Sequence, residues 1–298
     1  MSLTAEQKKE LLQVLEDTSG PRKAMFAART IPDDYRAFLN MVEQTEEVLT
    51  LPGAAVPVRV VISKALDRGP KCPLHVNFHG GGFVLPQDGD DDLYCAHVAA
   101  GIHGIVVDVD YALADEHPFP AAFDQCYAVI QWAFANCEAW DADSRRVSAG
   151  GHSAGGNLLS AISIKNAITG DFKLCLQVLD YAANDCVASL TAKGQERSRA
   201  FSLLYADGDE ALLSDIYLSP VFAKPSDLKN QPDTLIVEGG LCPFTPVNRV
   251  YAKTLEEAGN RVSFASFPDS RHGFTIRMQD DWRKAQQAII DAICAAHL

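Results

Sequence analysis

Apolar positions along this chain fall into three successive rhythms. Over the first 45 residues they recur at helical spacing and predict two helices. The first spans 5–16, with Thr4 as its N-cap and Leu11, Leu12 and Leu15 on one face. Residues 46–51 and 56–64 then read as an antiparallel pair of strands turning at Pro52 and Gly53. From Pro73 onward, short runs rich in Val, Ile and Leu alternate with helical patterns. The predicted strands are 74–78, 105–109, 146–149, 174–179, 234–237 and 262–267. The predicted helices lie near 92–101, 121–137, 154–168, 246–258 and 280–296. Apolar strands separated by helices imply an α/β fold, a mainly parallel sheet covered on both faces. The crossover over 185–217 is long and polar, with a helical pattern around 196–204, and is expected to form a cap or lid. No repeat, low-complexity tract or linker interrupts the pattern, so a single domain over 1–298 is expected.

Composition narrows the function. With 298 residues and 47% hydrophobic content, the chain can bury a sizeable core. A net charge of −13 leaves no basic face to neutralise phosphates or an anionic membrane, so neither nucleic acid nor a lipid surface is an expected partner. The N-terminus is charged and amphipathic, without the apolar run of a leader or a membrane span, and a cytoplasmic location is expected. Eight cysteines are scattered with no C-x-x-C pair. Neither a zinc site nor a disulfide framework is suggested, and no metal or other cofactor is expected.

Three segments carry chemistry. In RRVSAGGHSAGGN, 145–157, a strand runs into G-x-S-x-G and a helix follows from Ala154. That is the setting of a nucleophile elbow, in which flanking glycines permit a sharp turn and leave Ser153 exposed at the sheet edge. The helix N-terminus also directs amide N–H groups at any charge developing there. In NFHGGGFVL, 77–85, consecutive glycines after a strand let the backbone approach a ligand and present N–H donors. In PDSRHGF, 268–274, His272 follows the last strand, where a general base can reach the serine.

Together these segments resemble the bacterial hormone-sensitive-lipase-like carboxylesterases of the α/β-hydrolase fold. The resemblance runs from about residue 58 to the C-terminus. It includes HGGGF at 79–83, DYALADEHPFPAA at 110–122, GHSAGGN at 151–157, LSP at 218–220 and HGF at 272–274. Ala112 and Asp115 stand where the family has arginine and proline, and His152 replaces the aspartate common before the serine. The resemblance implies Ser153 as nucleophile, His272 as base, and Gly81, Gly82 and Ala154 as oxyanion donors. It also implies a cap built from about 1–45 together with 185–217.

One position departs in a way that touches the chemistry. The family's acid lies in a pattern like E-x-D-P-L, with a Tyr-Ala pair nine residues beyond the aspartate. Here Pro243 and the Tyr251–Ala252 pair match, and the acid position falls on Cys242. A neutral thiol accepts a hydrogen bond weakly and cannot stabilise an imidazolium as a carboxylate does. Losing a triad acid lowers kcat about 10⁴-fold in protease examples, roughly 5–6 kcal/mol of barrier. Asp185, Asp180, Glu238 and Asp269 are the carboxylates that would have to substitute, and a redox role for Cys242 is a further alternative.

The expected function is hydrolysis of small uncharged acyl esters through an acyl-enzyme, impaired to the extent that Cys242 replaces the acid. The alternative is a degenerate hydrolase that binds a small ligand with little turnover. Phe83, Val84, Leu85, Phe201 and Leu204 are the expected apolar walls of the pocket. GDDD at 89–92 reads as a solvated loop before a helix that starts at Leu93, or as an anion-repelling mouth. The assembly is left open between monomer and homodimer.

Overall fold

A computed structural model of the chain describes residues 2–20, 29–191 and 195–297. Its centre is an eight-stranded sheet: β1 (Val42–Leu49), β2 (Val58–Ala65), β3 (Cys72–Phe78), β4 (Ile105–Asp110), β5 (Ala142–His152), β6 (Leu176–Asp180), β7 (Asp233–Gly239) and β8 (Val262–Phe267). The strand order is β1-β2-β4-β3-β5-β6-β7-β8. β2 pairs antiparallel with both β1 and β4, and every other pairing is parallel.

β3 and β6 are buried along their whole length and β4 along all but its last residue, as expected of strands covered on both faces. The two-residue period still sorts their side chains. Ile105, Val107 and Val109 of β4 join one apolar layer, whereas Val106 joins the other. The first layer is completed by α3 (Ala121–Asn136), α4 (Ala154–Thr169) and α6 (Thr245–Glu257). The second is completed by α2 (Gly89–Gly101) and α7 (Trp282–Ala295).

α1 (Ala5–Asp17) is closed by a capping box between Thr4 and Gln7. It lies against α5 (Glu196–Tyr205), where Arg197 Nη1 donates to the Leu15 carbonyl at 3.1 Å and to Ser19 Oγ at 2.6 Å. The second expected N-terminal helix falls partly on residues outside the described ones. What is described there is one helical turn, Asp33–Arg36, and a 3-10 segment, Ala37–Met41.

Two expectations shift. β1 begins four residues earlier than its pattern suggests, because it is an edge strand exposed along most of its length. GDDD is not a solvated loop. α2 begins at Gly89 with Asp88 as N-cap and Asp91 completing the capping box, and both Asp90 and Asp91 are buried. Asp90 is held by ion pairs with Arg29 and Arg277, which lock it into the first helical turn.

α4 and the end of β3 approach each other closely. A Cβ placed on Gly155 would lie 2.1 Å from the Phe78 carbonyl oxygen, and one on Gly151 would lie 2.2 Å from the Gly155 carbonyl oxygen. Gly155→Ala is therefore expected to destabilise the protein by about 1–3 kcal/mol through overpacking against backbone. Urea unfolding should show a lowered midpoint, and an unchanged midpoint would contradict this packing.

Candidate active site

The carboxyl ends of β3, β5, β6, β7 and β8 share one edge of the sheet, the edge where open α/β sheets place their ligands. β5 ends at His152, and the chain turns through Ser153 into α4. Ser153 has φ 54° and ψ −108°, a conformation that costs a non-glycine residue roughly 1–3 kcal/mol and persists only where packing enforces it. Its backbone is clamped from β6: Ser153 N–H donates to the Asp180 carbonyl at 2.9 Å, and Ala183 N–H donates to the Ser153 carbonyl at 2.9 Å.

The loop after β3 lies against this turn. Gly81 and Gly82 have φ of 119° and 63°, and a Cβ on Gly80 would sit 3.3 Å from the His152 carbonyl oxygen. The His79 ring stacks on Tyr111 at 4.0 Å, and Tyr111 Oη donates to the His79 carbonyl, which fixes where the glycines begin. Among the described residues, the N–H groups of Gly81, Gly82 and Ala154 make no backbone hydrogen bond. Two arise from the glycine loop and one from the first turn of α4, so they are free to receive an anion at the elbow.

His272 follows β8 and reaches the serine, with Nε2 3.0 Å from Ser153 Oγ. Its Nδ1 lies 3.1 Å from Cys242 Sγ. Ser153, His272 and Cys242 thus stand in one chain of contacts. The rings of Tyr181 and Phe244 flank the imidazole at 4.9 and 5.0 Å. Burial pushes the Cys242 thiol up to about 11, so the partner of Nδ1 is an uncharged sulfur.

Of the four carboxylates that the sequence offered as substitutes, three are engaged elsewhere and the fourth faces solvent. Asp185 Oδ1 accepts from the N–H groups of Val187 and Ala188, both at 2.9 Å, and so caps a short helical turn. Glu238 pairs with Arg249 and accepts from Ser266 Oγ at 2.7 Å. Asp269 is exposed. Asp180 is fully buried and faces His152, with Oδ2 2.8 Å from Nδ1, while Thr275 Oγ1 donates to its other oxygen at 3.2 Å.

That last pair belongs to a polar ladder which sequence reasoning missed. Asn77 Nδ2 donates to Asp108 Oδ1 at 2.7 Å, so its own Oδ1 faces His152 Nε2 at 3.1 Å as an acceptor. His152 thus stands between Asn77 and Asp180, with one ring nitrogen at hydrogen-bond distance from each. Asp108, Asn77, His152 and Asp180 come from β4, β3, β5 and β6, and all four are buried. Burial raises the Asp180 carboxyl against the lowering contact of His152, and raises Asp108 to about 6. The sequence signal was the histidine before the serine, but its partners became visible only with the strand register.

A cavity of about 1090 Å³ opens over Ser153 and His272. Leu12 and Leu15 of α1, Phe201 of α5, and Val84 and Leu85 of the glycine loop contribute apolar walls. Phe83 and Leu204, expected on those walls, turn into the core instead, where Phe83 stacks on Tyr205 at 3.8 Å and Leu204 is fully buried. Arg277 bridges Asp88 and Asp90 beside the cavity, which tempers the expected repulsion of anions at its mouth.

Comparison with known proteins agrees with this architecture. Residues 75–276 match the family defined by the alpha/beta hydrolase fold. The Mycobacterium tuberculosis carboxylesterase NlhH is 31% identical over 231 residues, covering 74% of this chain and 71% of that protein. A hyperthermophilic esterase from the archaeon Pyrobaculum calidifontis has a TM-score of 0.77 at 27% identity, over 99% of both chains. Brefeldin A esterase, described as a bacterial homologue of human hormone-sensitive lipase, reaches a TM-score of 0.83 over 99% of this chain and 86% of that one. At 20% identity the last is a likeness of fold.

With its thiol near 11, Cys242 should be about one part in a thousand thiolate near pH 8. The ultraviolet thiolate absorbance that distinguishes the wild type from Cys242→Ser is expected to emerge only above about pH 10. A thiolate signal from Cys242 already present at neutral pH would contradict an uncharged partner for His272.

Proposed function

This chain belongs to the hormone-sensitive-lipase-like family of α/β hydrolases, and from that premise we propose that it is a serine carboxylesterase acting on small uncharged acyl esters. The observation that carries the reading is the 3.0 Å approach of His272 Nε2 to a serine held at φ 54° beneath a cavity with Leu12, Leu15, Val84, Leu85 and Phe201 on its walls. In the proposed reaction Ser153 Oγ attacks the ester carbonyl carbon while its proton passes to Nε2. The N–H groups of Gly81, Gly82 and Ala154 receive the developing oxyanion, and their placement on a fixed loop and helix end means they need little reorganisation. The alcohol leaves with the proton from Nε2, and water, activated by the same nitrogen, then hydrolyses the acyl-enzyme.

In this reading α1 and the 185–217 segment act as a cap, since both line the cavity and are joined by Arg197. Every group in the mechanism comes from one chain, so either a monomer or a homodimer is compatible with it. We also infer a cytoplasmic setting; eight free cysteines suit a reducing compartment. No helix among the described residues is long and apolar enough to cross a membrane.

The uncharged Cys242 favours a slow enzyme, and this is what gives the ligand-binding alternative its weight. Hydrolysis of p-nitrophenyl butyrate should be lost in Ser153→Ala, and a fluorophosphonate should label Ser153 in the wild type. Absence of both turnover and labelling would remove the esterase reading. Cys242→Asp should raise kcat by about 10²–10⁴-fold if the thiol limits an otherwise complete site. An unchanged rate would mean that Cys242 is not the missing acid.

A further inference from the structure

Cys242 affects more than speed: it bears on which esters the site can open. The argument rests on the reading of Ser153 as nucleophile and His272 as base. During acylation His272 has two tasks. It takes the serine proton as the Oγ–carbon bond forms, and it returns that proton to the leaving atom as the carbon–leaving-group bond breaks. The second task is severe for alkyl esters. An alkoxide is roughly as basic as hydroxide, whose conjugate acid, water, ionises at about 15.7, so it departs only with a proton delivered by Nε2. A phenol ionises near 10 and a thiol near 8.5, so phenolates and thiolates can leave with the bonding electron pair and no proton.

The surroundings of His272 make proton delivery the weak step. A carboxylate at Nδ1 would hold the imidazole in register with the leaving atom and stabilise the imidazolium until transfer. Here Nδ1 meets the buried sulfur of Cys242 at 3.1 Å, and two aromatic rings flank the imidazole. Asp180, a buried carboxylate at the end of β6, is bound to His152 and Thr275. A neutral sulfur gives the ring weak orientation and no charge to support it.

We propose that this site is selective for acyl donors with acidic leaving groups, namely phenyl esters, enol esters and thioesters, and acts poorly on simple alkyl esters. With such a donor the serine proton stays on Nε2 and passes later to solvent, while the phenolate, enolate or thiolate departs as an anion. The acyl group remains on Ser153. Deacylation is the same for every donor of one acyl group, so the selectivity resides in kcat/KM, which reports acylation alone.

The test measures kcat/KM for p-nitrophenyl, phenyl, S-phenyl and ethyl butyrates in the wild type and in Cys242→Asp. The expected result is a gain for ethyl butyrate at least about tenfold larger than the gain for p-nitrophenyl butyrate, because general acid catalysis contributes about 10²–10⁴ only where a proton is needed. Cys242→Gly supplied with formate places a carboxylate at Nδ1 by another route and should show the same preferential gain if Cys242→Asp folds poorly. Equal gains for both esters would overturn the selectivity while leaving the esterase reading intact, provided that a fluorophosphonate labels Ser153. Failure of that labelling, with no ester cleaved, would overturn both.

Discussion

The site depends on one constraint: a strand and a helix must meet at Ser153 with almost no space between them. Gly151 and Gly155 face each other across the turn, and Gly155 lies directly beneath the carbonyl of Phe78. No larger side chain fits, so the turn closes and Ser153 is driven to a positive φ. The same closeness brings the glycine loop after β3 against the elbow and leaves the first amide of α4 facing outward. Packing energy from two apolar layers maintains a strained residue that would relax if it stood alone.

Beneath that turn the chain places charge in an order of its own. Directly before the serine stands His152, which pairs with buried Asp180 and, through Asn77, with Asp108. A buried carboxylate is costly without a partner, and His152 supplies one. The pair ties the ends of β5 and β6 together while Asn77 ties in β3, so one polar network joins the strands that precede the serine, Tyr181 and the glycine loop. It also commits Asp180, which therefore does not serve as a replacement acid for His272.

Much of this was legible in the sequence, and the division has a physical basis. Features encoded in contiguous residues were readable: the bounds of β8, the capping of α1 by Thr4, the glycine elbow and the glycine loop. Ser153 and His272 lie 119 residues apart, yet each follows a strand end, so their order along the chain suggested their meeting. The Asp180–His152–Asn77–Asp108 ladder was not readable, because it depends on the register of four strands and a one-residue slip reverses every face. Phe83 and Leu204 turned inward for a similar reason, since a hydrophobic residue beside a pocket suits the core equally well. Residues 89–92 misled because an acidic run suggests solvent, whereas two arginines distant in sequence bury Asp90 within a helical turn.

The chemistry of the site therefore turns on the company His272 keeps. Its Nδ1 is directed at a thiol that burial holds in the neutral form, while Asp180 is taken up by His152 and Thr275 and Glu238 by Arg249. Neutron diffraction from crystals exchanged into heavy water would test this most directly by locating the protons. The account predicts a deuteron on Cys242 Sγ and another on His272 Nδ1, with sulfur as the acceptor of the latter. A bare thiolate at Cys242, or a carboxylate oxygen within hydrogen-bonding distance of Nδ1, would contradict it.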